Sequence, residues 1–267
     1  MRRVFRGAYE DNVAFLASAL AFEALLWTLP FLLVALAIFG FIVGGSQPEQ
    51  EVRGLLVRVL PATPQEGPFT RVTDALVAVV ESRARLSIWA APFFVFFSLR
   101  LFGSVRNALN DVFDTDETRS WIVAKATDFL LAVTAAVLIA ANTLTSVVVL
   151  DASWPGRFAA TVSAYGFAVL LFFIIYTTAP GRRVGWDTGL VAAVVVSLGF
   201  ELVKRLFGVY LARFATFDRV VSNANAIGLL LFVLWIYLIA FIFVAGGEVA
   251  QAYDLTRRQR EQRAVLG

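Results

Sequence analysis

Apolar runs long enough to cross a lipid bilayer recur along almost the whole of this chain, and that feature removes most possible folds. A helix needs roughly 20 apolar residues to span the hydrocarbon core. Six such runs can be read: roughly Ala21–Gly44, interrupted by Pro30; Ser87–Gly103; Lys125–Leu150; Phe158–Ala179; Thr188–Leu211; and Ala226–Ala250. The second is short, and the fifth carries charges in its second half. Lipid offers no water to backbone N–H and C=O groups, so a spanning segment is a helix or part of a closed barrel. Unbroken runs of this length select helices. Hydrophobic residues make up 59% of the 267 and charged residues 16%, against about 45–50% and about 25% in a soluble domain. The excess calls for a lipid solvent rather than a larger core. The expected fold is all-α, a single polytopic membrane domain with six transmembrane helices plus a periplasmic amphipathic helical hairpin.

The chain has no cysteine and no histidine. Disulfides, thiolate nucleophiles and Cys/His zinc sites are thereby excluded, and no cofactor or metal is expected. No phosphate-binding P-loop and no Ser/His triad can be read. The first dozen residues form a basic amphipathic stretch, with Val4, Phe5 and Ala8 on one side. The apolar run that follows is too long for a cleavable signal peptide and has no small-residue cleavage site.

Arginine placement sets the orientation, because loops rich in Arg and Lys stay on the cytoplasmic side. With six spans, both termini share a side. That side holds Arg2, Arg3 and Arg6, then Arg106 and Arg119, the Arg182–Arg183 turn, and Arg257, Arg258, Arg260 and Arg263. Both termini are therefore expected in the cytoplasm, with 251–267 as a basic cytoplasmic tail. Between the first two spans, in 45–86, Val52, Leu55, Leu56, Val59 and Leu60 repeat at helical spacing, as do Val72, Ala75, Leu76, Val79 and Val80. Pro61, Pro64, Gly67 and Pro68 punctuate between them. Two short amphipathic helices joined by a hinge are expected there, as a packed cap or as a moving lid.

Ionisable and amide groups inside these spans stand out, since each costs at least a few kcal/mol unless paired or wetted. Glu23 precedes Pro30 in the first span. Glu201 is followed by Lys204 and Arg205, at a spacing that lets either cation reach the carboxylate on one helix face. Asn142 lies deep in the third span, Asn223 and Asn225 open the sixth, and Glu248 follows Gly246–Gly247 near its inner end. Two readings stand. In one, Glu23, Glu201, Lys204, Arg205, Asn225 and Glu248 converge on a water-filled cavity. In the other, the Glu201 group is a neutralised structural pair, Glu23 and Glu248 sit at the inner interface, and Asn142 is interhelical glue. Arg100 reads as an inner anchor, and Trp89, Trp154 and Trp235 as interfacial anchors or packing. Gly40 and Gly44 form a GxxxG, so a homo-oligomer is possible. The tails carry arginine without interleaved aromatics, which suits a membrane surface rather than nucleic acid.

Landmarks in order along the chain resemble the YihY/BrkB family of bacterial inner-membrane proteins. They are Ala17-Ser18-Ala19-Leu20-Ala21 and Leu29-Pro30-Phe31 in the first span, and Ala108-Leu109-Asn110, Arg119 and Trp121 around the inner loop. The fifth span carries Glu201, Lys204, Arg205, Phe207 and Tyr210; the sixth carries Gly228, Leu234-Trp235, Tyr237 and Gly246-Gly247-Glu248. Pro30, Asn110, Arg119, Asn142, Gly228, Trp235 and Tyr237 are expected to be structural or interhelical. The resemblance implies six helices, inner-membrane residence, and labels of envelope integrity and serum resistance without a settled molecular activity. An older ribonuclease label suits this chain poorly, since it has no histidine and no soluble domain to hold RNA.

The expected function is non-enzymatic: an envelope-integrity protein handling a lipid or amphiphile through a polar cavity, as transporter, flippase or partner of a lipid-transfer system. Membrane lipids and an envelope protein are the expected partners. A structural or interaction protein without transport is the alternative, and a ribonuclease a distant one.

Overall fold

The structure, a computed structural model, describes residues 13–43, 83–115, 119–148, 154–182, 184–214 and 224–266. They form six helices and no strand: α1 Val13–Val43, α2 Arg83–Val112, α3 Trp121–Val148, α4 Trp154–Thr178, α5 Trp186–Phe214 and α6 Ala224–Leu266. Each helix packs on its neighbours in sequence, and α6 closes the ring on α1. Stretches within α1, α3, α4 and α6 are long and apolar enough to cross a membrane. The remaining two, α2 and α5, match them in length but carry Arg100 and Arg106, and Glu201, Lys204 and Arg205. Large apolar side chains cover the outside of the bundle, Trp121, Ile122 and Trp186 among the most exposed. Such a surface suits lipid and would make a water-soluble molecule stick to itself.

Several expected boundaries change. The first helix starts earlier than expected, at Val13, and it runs unbroken through Pro30 to Val43. Proline removes one backbone donor, but the flanking turns hold. The second helix begins at Arg83, inside the segment assigned to the hairpin, and continues past Gly103 to Val112. The basic tail is not a separate segment but a continuation of α6 to Leu266. The rest of the proposed hairpin, and the amphipathic N-terminal stretch, lie outside the described residues.

The ends of the bundle differ. At the near end lie the α2–α3 and α4–α5 connections. There α2 stops in a Schellman turn: Thr115 N donates to Asn110 O at 2.9 Å and Asp114 N to Asp111 O at 3.2 Å. The turn needs a left-handed residue, which Asp114 supplies with φ 46°. Pro180 follows the end of α4, where a proline cannot extend the helix. Among the described residues of α3, α4 and α5, burial is concentrated at this end. In α3 the buried residues run from Ala124 to Ala135, in α4 from Ile175 onward, and in α5 from Thr188 to Ser197. Beyond those positions, no described residue of α3, α4 or α5 toward the far end is buried. The core is formed by Leu109, Val112, Tyr176, Val196 and Val244, with Val13, Ala17 and Leu20 of α1.

Glycine makes the near-end packing possible at one position above all. A Cβ on Gly246 would overlap Val196 of α5, and one on the adjacent Gly247 would sit 3.1 Å from Val112 of α2. The absence of side chains lets α6 approach both partners, and lets the Tyr176 hydroxyl donate to the Phe243 carbonyl.

Candidate functional site

The structure divides the candidate residues among three places. On α5, Glu201 lies 2.5 Å from Lys204 Nζ and 3.2 Å from Arg205 Nε. The helical spacing foretold this contact. The group stands on the bundle surface, its side chains 31% exposed for Glu201, 53% for Lys204 and 73% for Arg205. Leu198, Leu202, Leu206 and Val209 surround it as exposed apolar neighbours on the same helix.

Glu23 is elsewhere. It grips Arg100 of α2 with both oxygens, at 2.5 Å to Nη2 and 3.1 Å to Nε. Sequence reasoning treated these two as separate interfacial groups, and the structure makes them one interhelical pair. A turn farther along, the Trp27 indole donates to buried Ser98 at 2.8 Å. Trp27 also stacks on Phe31 at 4.5 Å and leans on Phe94 at 6.1 Å.

Glu248 occupies a third place, buried in α6 beside Gly247. Glu23 and Glu201 are each held by cations of their own, Arg100 in one case and Lys204 with Arg205 in the other. Asn225 belongs to α6, but its side chain lies outside the described residues, as does the surrounding of Gly228. A groove of about 480 Å³ runs between α1 and α6, lined by Ser18, Phe22, Leu25, Leu230, Leu234 and Tyr237 among others. It is apolar and holds none of the candidate charges.

The residues expected to be structural serve mostly as struts. Asn110 is buried and accepts from Gly181 N at 2.7 Å, tying the end of α2 to the α4–α5 turn. Arg119 donates to the Thr178 carbonyl at 2.9 Å. Trp235 packs on Phe207 at 4.8 Å and on Phe200 at 6.0 Å, joining α6 to α5. Tyr237 lines the groove, Pro30 is buried in α1, and Asn142 is half-buried on α3.

Sequence reasoning missed the most deeply buried charges. Asp128 of α3 is held by Arg106 of α2, with Oδ1 3.3 Å from Nε and Oδ2 3.3 Å from Nη2. Lys125 adds a contact at 3.4 Å and reaches the Leu99 carbonyl at 3.5 Å across Gly103. The available signal was a lone aspartate inside the third apolar run, three residues after a lysine. Also missed were Asp254, which binds Arg182 and Arg258 at 3.0 Å each, the Asp187–Arg257 pair, and Gln251 donating to Asp114 at 2.7 Å. These ties bind the α4–α5 turn, the end of α2 and the α6 extension together. Among the described residues no group of His, Cys, Asp and Glu could hold a metal ion.

Comparison with known proteins agrees with this architecture. The profile of the family described as "Virulence factor BrkB" matches residues 4–265. A UPF0761 membrane protein of Legionella pneumophila (strain Corby) is 25% identical over 283 residues, covering 100% of this chain and 65% of the relative. One from Rhodospirillum centenum is 27% identical, covering 90% of this chain and 54% of the relative. One from Alteromonas mediterranea is 24% identical, covering 96% and 89%. The chain thus spans just over half to about two thirds of the length of several of these relatives, whose names record membrane proteins and no activity. No solved structure matches. A match along nearly the whole chain, together with the all-helical bundle and its apolar exterior, makes this chain a membrane protein of the BrkB family.

Proposed function

We propose that this chain is a non-enzymatic protein of the bacterial inner membrane that admits a lipid or similar amphiphile into the far half of its helical bundle. In this reading all six helices span the membrane, and the near end, with both termini, faces the cytoplasm. The observation that carries it is the uneven core. Among the described residues of α3, α4 and α5, burial is confined to the near end, so these three helices pack closely there and less closely beyond. A purely structural bundle gains nothing by packing three of its helices less closely over part of their length, since dispersion and side-chain packing are what hold helices together in lipid. Of the charges beyond the near end, the Glu201 group is 31–73% exposed on an apolar helix, and Arg100 is 46% exposed where it holds Glu23. A head group can meet such charges while its chains stay in lipid. Glu248 lies in the near end and, in this reading, supports the floor.

The test is lipid translocation in proteoliposomes holding the purified chain and a fluorescent phospholipid, with a membrane-impermeant quencher reporting leaflet exchange. Exchange faster than in protein-free liposomes, and slowed by Glu201→Gln with Lys204→Gln, is expected. Exchange equal to the protein-free rate would sink the reading. The alternative, a scaffold without transport, draws on the near-end struts at Asn110, Arg119 and Asp254.

A further inference from the structure

We propose that Lys204 and Arg205 form a binding site for a phosphate group, and that its usual source is the head of an anionic phospholipid in the far leaflet. The proposal rests on the lipid-handling reading and gives that reading its ligand class.

The charge balance of the α5 group is the starting point. Two cations share one carboxylate, which leaves one positive charge in surplus. Among the described residues, Glu201 is the sole carboxylate paired with either cation. Arg205 spends only its Nε on Glu201, at 3.2 Å. Its side chain is 73% exposed, and among the described residues its contact with Glu201 is through Nε, which leaves the terminal nitrogens for a ligand. A guanidinium fork beside an ammonium is the donor set that suits a tetrahedral oxyanion: Arg supplies paired N–H bonds and Lys a compact charge.

Depth agrees with a head group rather than a hydrocarbon site. At about 1.5 Å per residue, Arg205 lies roughly 28 Å along α5 from Trp186, which is exposed at the near end of that helix. The hydrocarbon core is about 30 Å thick. Arg205 therefore stands toward the far interface, and its long side chain can reach the phosphate layer. Tyr210, exposed and stacked on Phe207, lies about a turn beyond, where an interfacial aromatic belt places tyrosine. Exposed Leu198 and Leu202 continue from the charges toward the near end. They offer an apolar track for acyl chains attached to the bound phosphate. A zwitterionic lipid brings its own cation to such a site, whereas an anionic one cancels the surplus charge.

The experiment uses the full chain in nanodiscs of mixed phosphatidylcholine and phosphatidylglycerol, with lipids retained on release counted by native mass spectrometry. The wild type is expected to retain phosphatidylglycerol preferentially. Lys204→Gln with Arg205→Gln should lower that preference about tenfold, the loss of one charge-assisted contact. The swap Lys204→Arg with Arg205→Lys keeps both charges and should keep most of it. Glu201→Gln removes the competing carboxylate while leaving the cations, and should raise it. Equal retention of the two lipids by the wild type, or no rise with Glu201→Gln, overturns the proposal, even if the double glutamine variant fails to fold. Inorganic phosphate added to the lipid-loaded nanodiscs before release separates the sources. Displacement of phosphatidylglycerol by millimolar phosphate supports a site that free phosphate also fills, and retention despite it supports one that needs the whole lipid. Retention involves no lipid movement. Preserved preference without translocation sinks the transport reading and leaves this site standing, and lost preference with translocation intact does the reverse.

Discussion

Asp128 and Arg106 face each other across the α2–α3 interface, each carboxylate oxygen 3.3 Å from a guanidinium nitrogen, with both side chains almost wholly buried. Removing one partner of a buried pair leaves an uncompensated charge and costs about 3–5 kcal/mol, whereas replacing both by apolar groups is often neutral. Asp128→Asn should lower the unfolding temperature in detergent markedly. Asp128→Leu combined with Arg106→Met should recover most of the loss. If the single and double variants melt alike, the pair is not what holds α2 to α3.

The Glu23–Arg100 pair obeys the same rule with less burial. Its carboxylate is 13% exposed and its guanidinium 46%. Arg100→Gln and Glu23→Gln should each reduce the yield of folded protein, and the double variant should exceed either single one. Additive losses in that double-mutant cycle would show that the two residues act independently.

Two glycines in neighbouring helices should respond oppositely to alanine. Gly246→Ala drives a methyl group into Val196 and is expected to cost about 1–3 kcal/mol, as overpacking does. Val196→Ala should rescue it. Gly208 has open space where its Cβ would stand, so Gly208→Ala should raise helix stability by about 0.5–1 kcal/mol. Thermal unfolding of the three variants checks both signs.

The absence of cysteine from the sequence makes the proposed orientation directly testable. A cysteine in place of Arg260, exposed on the α6 extension, should react with a membrane-impermeant maleimide only after the inner membrane is permeabilised. One replacing Gln65, in the segment expected to be periplasmic, should react beforehand. The reverse pattern would invert the proposed topology.

How much was legible depended on the range of each contact. The Glu201 group could be read because its members share a helix face one turn apart. Glu23 and Arg100 lie 77 residues apart, and only helix packing brings them together, so their pairing left no local trace. Asp128 was overlooked because one carboxylate scarcely alters the character of a long apolar run. The uneven core was invisible for a deeper reason. In a soluble helix an apolar stripe marks the buried side, but a helix in lipid is apolar on every side. Phe22 and Leu20 of α1 look alike in sequence, and one is exposed while the other is buried. The tail read as a segment apart from the sixth span because its charges signalled water, which a helix can enter without ending.

That unbroken α6 has a mechanical consequence. Its 43 residues make a rod of about 64 Å, roughly twice the hydrocarbon thickness. The rod carries Trp235 and the α1 groove at one end and a row of arginines at the other. Glycines 246 and 247 seat it against α5 and α2 between those ends, much as a fulcrum seats a lever. A load on Arg260 or Arg263 is therefore delivered, with its sense reversed, to the part of the bundle that is least tightly packed.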